Sequence, residues 1–142
     1  MIREWIDRHQ ARNDELVWVI EDMDGRCLGH VGLYQIDYRA GSAEFGIMIG
    51  DAASRGRGIG RECTIHVTDY AFRDLRLNRV SLTVLATNVI ARELYRSIGY
   101  QTEGVLRQAQ FRNGRFVDVI LMAQIAASRP TLDDEGDAHT RC

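Results

Sequence analysis

A short basic stretch rich in glycine contains the residue types that most clearly indicate chemistry in this chain. Its members are Arg55, Gly56, Arg57, Gly58, Ile59 and Gly60. Three glycines allow a tight turn and leave no side chain between the backbone amides and a ligand. Because the stretch lies between an apolar run at residues 45–49 and a segment with helical spacing, its amides fall at a predicted helix N-terminus, where anions bind. The sequence therefore predicts a cradle for a diphosphate; a basic turn that joins a strand to a helix is the alternative.

The spacing of these glycines narrows the kind of nucleotide site. It is neither G-x-x-x-x-G-K-[ST] nor G-x-G-x-x-G, which argues against a P-loop NTPase and against a Rossmann dinucleotide site. The stretch has the form R-x-x-G-x-G instead. The diphosphate is therefore expected to bind to a fold of another class.

Length and composition indicate one globular unit with no general affinity for polyanions. The chain has 142 residues, of which 45% are hydrophobic, enough for one domain with a real core. Its net charge of −2 gives no general attraction to nucleic acid or to an anionic membrane. The apolar runs are too short to span a bilayer, and the N-terminus carries charges where a signal peptide needs an apolar core. We therefore expect a cytoplasmic protein.

The cysteines and histidines do not form a metal-binding or catalytic pattern. The three cysteines, at positions 27, 63 and 142, lie far apart and include no C-x-x-C pair. Neither a disulfide framework nor a structural zinc site is therefore expected. Cys63 and His66 lie about one helical turn apart, but no orienting group stands at a supporting spacing. Cys63 is expected to be a small core residue, and no metal is expected.

Hydrophobic periodicity and turn residues predict the element order αβββαβαββ, a mixed α/β arrangement around one sheet. The first helix is predicted at residues 2–10, followed by a meander of strands at 16–21, 27–35 and 43–50. Next come a helix at 58–75, a strand at 79–86, and a helix that Asn88 caps and Gly99 stops. A hairpin with strands at 100–111 and 116–125 closes the fold. Residues 1–126 are expected to form one domain, and residues 127–142 a polar tail that is disordered or loosely attached.

The segment from Asn88 to Tyr100 resembles a family signature. It fits N-x-x-A-x-x-L-Y-x-x-x-G-F, which follows the fifth strand in the GNAT superfamily of acetyl-CoA-dependent N-acetyltransferases, with Tyr100 in place of the usual Phe. The R-x-x-G-x-G stretch resembles the pyrophosphate loop of the same superfamily. Glu103-Gly104 and residues 112–118 are similar to the sub-group that contains ribosomal-protein and spermidine N-acetyltransferases. The resemblance covers about residues 5–122 and implies the GNAT fold, a central, mixed, largely antiparallel twisted sheet flanked by helices.

The chain departs from the family pattern at its start. A typical member begins with a further strand and helix, so the resemblance implies a fold that lacks this first strand and helix. A trimmed fold, a misassigned start codon and a partner chain that covers the exposed sheet edge are explanations that the sequence leaves open. Because the first helices of the superfamily commonly shape the acceptor pocket, the departure affects the identity of the acceptor more than the binding of the cofactor.

The resemblance implies acetyl-CoA as the acyl donor and assigns residues to it. In this family two neighbouring strands splay apart, and the pantetheine arm enters the gap and pairs with the fourth strand. The backbones of Ile47, Met48 and Ile49 would supply that pairing here. The amides of residues 55–60 would hold the pyrophosphate, and Asn88 would hold the pantetheine end through its side chain.

The resemblance also implies catalytic roles for two residues. Tyr95 matches the tyrosine that points its hydroxyl at the coenzyme sulfur, and a phenol with a pKa of about 10 is still protonated at neutral pH. Packing on the apolar face of its helix is the other interpretation of Tyr95. Glu44 is the first candidate for the general base or for attraction of a cationic amine, with Asp118 and Glu103 as further candidates. A solvent-facing role for Glu44 and a water chain instead of a base both stay open.

Two functional hypotheses follow from the sequence. The first is an N-acetyltransferase that acts on a primary amine, either a small molecule such as a polyamine or amino sugar, or a peptide N-terminus. The second is a non-catalytic acyl-CoA sensor. Tyr95 favours the enzyme, because a binding module needs no proton donor. A nucleic-acid surface is disfavoured by the net charge and by the lack of interleaved aromatic residues. A homodimer is compatible with the sequence but not indicated by it.

Overall fold

The computed structural model describes residues 2–5, 14–50 and 58–129 of the chain. These residues contain strands β1 (Ile2–Trp5), β2 (Leu16–Glu21), β3 (Cys27–Asp37) and β4 (Ser42–Ile49), followed by helix α1 (Ile59–Arg73), strand β5 (Arg79–Leu85) and helix α2 (Val89–Ile98). Strands β6 (Gln101–Arg112) and β7 (Arg115–Ile125) form the last hairpin, and a 3-10 helix follows at Ala126–Ser128.

The described strands form one sheet in the order β1-β2-β3-β4-β5-β7-β6. Every neighbouring pair is antiparallel except β4 and β5, which are parallel and are joined through α1. The prediction of a mixed, largely antiparallel sheet flanked by helices is therefore confirmed.

The predicted first helix is wrong where the structure describes it. Ile2–Trp5 form strand β1, which pairs with Val17–Ile20 of β2. Apolar residues at positions 2 and 5 fit a helical face, but four residues are too few to fix a helix, and the ladder with β2 satisfies their backbone groups instead. Residues 6–10 of that prediction lie outside the described residues.

The main hydrophobic core lies between one face of the sheet and the two helices. Val31, Leu33 and Val80 of the sheet and Val67 and Ala71 of α1 have no exposed surface. We call this side of the sheet the helix face and the opposite side the open face. Along β4, Ala43 and Phe45 lie in this core, so the strand alternation places Glu44 and Gly46 on the open face.

Helix α2 begins and ends where its sequence predicts. The Asn88 side chain accepts a hydrogen bond from the Ala91 backbone N–H at 3.2 Å, which is an N-cap. Gly99 has φ 119° at the C-cap, where a side chain would be strained and where an added Cβ would lie 3.2 Å from Gln124 Nε2.

The chain stays packed slightly beyond the predicted domain boundary at residue 126. Arg129 forms an ion pair with Asp69 of α1 at 3.1 Å and lies 4.4 Å from the ring centroid of Phe72. The rest of the predicted tail, residues 130–142, lies outside the described residues.

Candidate active site

An opening in the centre of the sheet is the main feature of the candidate site. Strands β4 and β5 pair only at Ser42–Arg79, Ala43–Val80 and Glu44–Ser81. Both strands continue beyond this ladder, β4 to Ile49 and β5 to Leu85, and each keeps pairing with its other neighbour. In the described residues, the two strands therefore separate after Glu44 and Ser81.

Backbone hydrogen bonds show which groups line this opening. At one end of β4, the Gly41 carbonyl accepts the Arg79 N–H at 2.9 Å, so it faces β5. At the other end, the Gly50 N–H donates to the Leu28 carbonyl at 2.9 Å, so it faces β3. Because the direction alternates along an extended strand, the N–H and C=O of Ile47 and Ile49 face the opening.

Because of the same alternation, the backbone groups of Met48 face the opposite way from those of Ile47 and Ile49. Met48 lies opposite His30 of β3, and its backbone groups face that strand. On the other side of the opening, the Ala86 N–H donates to the Asp118 carbonyl at 2.9 Å, so the backbone of Thr83 faces β4. An extended ligand arm could pair with Ile47 as an additional strand without breaking the β3–β4 ladder.

The N-terminus of α1 lies beside the end of β4. Gly58 stands immediately before the helix with φ 76°, a conformation that favours glycine. A Cβ added at Gly60 would lie 3.7 Å from Ile49 Cδ1. The first amides of α1, including those of Ile59 and Gly60, are therefore next to the opening; Arg55, Gly56 and Arg57 lie outside the described residues.

Tyr95 lies on α2 at the helix-face side of the opening. Its ring is 8% exposed and makes edge contacts with Phe45 of β4, at 6.3 Å between centroids, and with Tyr100, at 6.0 Å. Burial raises the pKa of the Tyr95 hydroxyl above its ordinary value of 10.0, so the phenol keeps its proton at neutral pH. Tyr95 therefore packs in the core, as one of its two interpretations predicted. Its role as a proton donor stays a prediction.

Tyr100 is held by a buried hydrogen bond that the sequence analysis did not identify. Its hydroxyl lies 2.7 Å from Thr68 Oγ1 of α1, and burial raises its pKa strongly. The sequence feature that could have predicted this hydrogen bond is the replacement of the usual Phe by Tyr at this position, since an added buried hydroxyl requires a partner.

Glu44 lies at the last rung of the ladder between β4 and β5. It is half-buried on the open face, directly opposite Tyr34 of β3 and beside Ser81 of β5. The two other candidate carboxylates are engaged: Glu103 binds Arg79 at 2.8 Å, which lowers the Glu103 pKa, and Asp118 accepts the Gln108 N–H at 2.8 Å.

Asn88 and Cys63 have clear structural roles. The side-chain oxygen Oδ1 of Asn88 caps α2, and the residue as a whole is exposed. A role at the pantetheine end stays a prediction. Cys63 is 2% exposed in the helix-face core, as a packing residue would be. Among the described residues, no three histidine, cysteine, aspartate or glutamate side chains gather as metal ligands.

A cleft of about 220 Å³ adjoins the opening on the β5 side. It is lined by residues of β5, β6 and β7, namely Thr83, Val84, Leu85, Gln110, Arg112 and Val119. Thr83 thus belongs both to the cleft and to the edge of the opening. The described part of the chain contains no helix that is long and apolar enough to cross a membrane.

Comparisons with known proteins agree with this geometry. A family model described as acetyltransferase (GNAT) domain matches residues 1–101. The spermidine N(1)-acetyltransferase of Vibrio cholerae is 36% identical over 118 residues, which are 83% of this chain and 68% of that protein. The L-amino acid N-acetyltransferase AaaT of Escherichia coli K12 is 30% identical over 105 residues, which are 72% of this chain and 64% of that protein.

Solved structures give the same relation. The dodecameric structure of spermidine N-acetyltransferase from Vibrio cholerae has a TM-score of 0.79 and 35% sequence identity to this chain, covering 85% of this chain and 70% of that one. The chain belongs to the GNAT acetyltransferase family, and the prediction of an acetyl-CoA-dependent N-acetyltransferase is confirmed.

Proposed function

We propose that this chain transfers the acetyl group of acetyl-CoA to the primary amine of a small cationic molecule of the polyamine type, by direct attack in a ternary complex. One observation carries the proposal: the β4–β5 ladder ends at Glu44 and Ser81, and the resulting opening has Tyr95 on one side of the sheet and Glu44 on the other. The relative named as a spermidine N(1)-acetyltransferase in Vibrio cholerae supports the polyamine acceptor.

The residues around the opening fit an elongated phosphorylated donor. The backbones of Ile47 and Ile49 would pair with the pantetheine arm, with the Met48 side chain, 62% exposed, beside it. The amides of Arg55, Gly56, Arg57, Gly58, Ile59 and Gly60 would hold the pyrophosphate at the positive end of α1. Asn88 would contact the pantetheine end.

Two side chains would handle protons. When bound, acetyl-CoA supplies the activated acetyl group. Tyr95 would donate its phenolic proton towards the departing sulfur, and its raised pKa keeps that proton in place at neutral pH. Glu44, on the open face, would attract the ammonium form of the acceptor and receive its proton, directly or through water.

Release of free thiol from acetyl-CoA, measured with the purified chain across a panel of amines, tests the proposal. The panel includes spermidine, glucosamine and a short peptide with a free N-terminus. We expect turnover with spermidine and little with the peptide. Binding of acetyl-CoA by calorimetry, without turnover on any amine, would support the sensor instead.

We also propose a homodimer and a cytoplasmic location. Strand β6 is an edge of the described sheet, and its hairpin with β7 exposes Val105, Leu106, Phe111 and Phe116 by 47% or more. Apolar residues beside an unpaired edge are a common site of self-association.

A further inference from the structure

We propose that Tyr34 determines acceptor specificity, because its ring lies on the open face next to Glu44 and can hold a second ammonium group of a polyamine. The inference rests on the proposed function and adds to it a residue and a preference for acceptors with more than one positive charge.

Tyr34 lies within one strand of the point where the sheet opens. It is directly opposite Glu44 in the β3–β4 ladder, and Glu44 forms the last rung with Ser81 of β5. Strand alternation places Tyr34 and Glu44 on the same face, opposite the core that contains Phe45 and Tyr95. An amine that reaches the opening from the open face therefore arrives within one strand of Tyr34.

Two glycines support the Tyr34 ring. Gly32 and Gly46 are cross-strand partners, and the ring extends over both of them. A Cβ added at Gly46 would lie 3.0 Å from Tyr34 Cε2, and one added at Gly32 would lie 3.0 Å from both Cζ and Oη. Because any side chain at these positions would push the ring away, the glycines allow one ring face to rest on the backbone. The other face is directed away from the sheet, and Tyr34 as a whole is only half-buried.

The charges around the ring favour a cation. Glu44 lies opposite Tyr34, and the Glu15 carboxylate is near enough to contribute, after burial, to the raised pKa of the Tyr34 hydroxyl. Arg79, two residues before Ser81 on β5, is bound by Glu103 and is therefore partly neutralised. An ammonium group over the ring face would gain attraction from the ring quadrupole and from both carboxylates.

Steady-state kinetics with spermidine and with the monoamine butylamine, at saturating acetyl-CoA, tests this role. The variants are Tyr34→Leu, which removes the ring, Tyr34→Phe, which keeps it, and Gly46→Ala, which displaces it. Tyr38→Leu is the matched control, because Tyr38 is 59% exposed just after β3. Thermal melting of each variant shows whether it is folded.

We expect Tyr34→Leu and Gly46→Ala to raise the KM for spermidine about three- to thirty-fold, with kcat and the KM for acetyl-CoA nearly unchanged. Tyr34→Phe should keep the wild-type KM within about twofold, since its ring still provides the π face. The KM for butylamine should not change in any variant, because this amine has no second ammonium group.

Two outcomes would overturn the inference and leave the proposed function standing. One is an unchanged KM for spermidine in a folded Tyr34→Leu protein, and the other is an equal increase in KM for spermidine and for butylamine. If Tyr34→Leu fails to fold, Gly46→Ala decides by the same comparison. Absence of thiol release by the wild-type chain with any amine would instead overturn the proposed function, and the inference with it.

Discussion

At the scale of single residues, the proton donation proposed for Tyr95 is the step that a substitution can isolate most easily. Replacing it by Phe keeps the ring contacts with Phe45 and Tyr100 and removes only the proton donor. We expect kcat to fall about 10²- to 10⁴-fold, with unchanged acetyl-CoA affinity and melting temperature. Thiol-release kinetics together with calorimetry measure these quantities. A wild-type kcat in the Tyr95→Phe protein would remove Tyr95 from the mechanism.

The buried tyrosines predict a loss of stability at high pH. Burial raises the pKa values of Tyr95 and Tyr100 above the ordinary 10.0. The folded chain therefore holds these protons where the unfolded chain has released them, so the stabilisation is complete below pH 10 and is lost as the pH rises towards the folded pKa values. Urea midpoints should fall as the pH rises above about 10, the ordinary pKa of a tyrosine, and less steeply in Tyr100→Phe. A slope that Tyr100→Phe leaves unchanged would contradict this account.

The Tyr100–Thr68 hydrogen bond predicts a non-additive pair of substitutions. Tyr100→Phe or Thr68→Val alone leaves a buried hydroxyl without its partner, at a cost of about 1–3 kcal/mol of unfolding free energy. The double variant removes both hydroxyls, so we expect it to lose clearly less than the sum of the two. Urea unfolding of the four proteins measures the coupling. Additive losses would show that this hydrogen bond does not stabilise the fold.

At the scale of elements, the direction of the backbone groups in β4 predicts different effects for the same substitution at two neighbouring residues. Ile47→Pro removes an N–H that faces the opening, whereas Met48→Pro removes one that faces β3. We expect the Ile47 variant to fold but to bind acetyl-CoA about tenfold or more weakly, through the loss of one hydrogen bond and steric blocking by the proline ring. The Met48 variant should fold poorly. Circular dichroism and calorimetry measure both effects, and the reverse pattern would show that the strand is oriented the other way.

The sequence predicted the ends of some elements well because contacts between residues close in the chain determine them. Asn88 and Gly99 mark the ends of α2 through capping contacts within a few residues. The end of the β4–β5 ladder could not be predicted in this way, because the parallel register depends on how α1 packs. Residues 2–5 show the same limit: pairing with β2 determines their conformation, although their periodicity fits a helix.

The position of Tyr34 was missed for a related reason. Its support depends on Gly32 and Gly46 being cross-strand partners, and this register follows from the β3–β4 turn. By contrast, the roles proposed for Tyr95 and for residues 55–60 follow from the family signature. The site residues are thus indicated by the sequence, whereas the open-face surroundings of the acceptor depend on the assembled sheet.

At the scale of the whole molecule, the last hairpin predicts self-association. Phe111 and Phe116 form an edge-to-face pair with centroids 5.1 Å apart, and both rings are more than half exposed. We expect sedimentation velocity to show a dimer or larger species for the wild-type chain and a shift towards monomer for Phe111→Ser. Substitution of Met23, which is 93% exposed on the β2–β3 turn, by Ser is the control and should change nothing. A monomeric wild-type chain would contradict the proposed homodimer.

The most direct test of the account is a crystal structure of the chain with coenzyme A. We expect the pantetheine arm to lie between β4 and β5, hydrogen-bonded to the Ile47 backbone, with the sulfur within hydrogen-bonding distance of Tyr95 Oη and the pyrophosphate at the N-terminus of α1. An arm bound outside this opening, or a Tyr95 hydroxyl directed away from the sulfur, would contradict the central claim that the separated strands form the acetyl-transfer site.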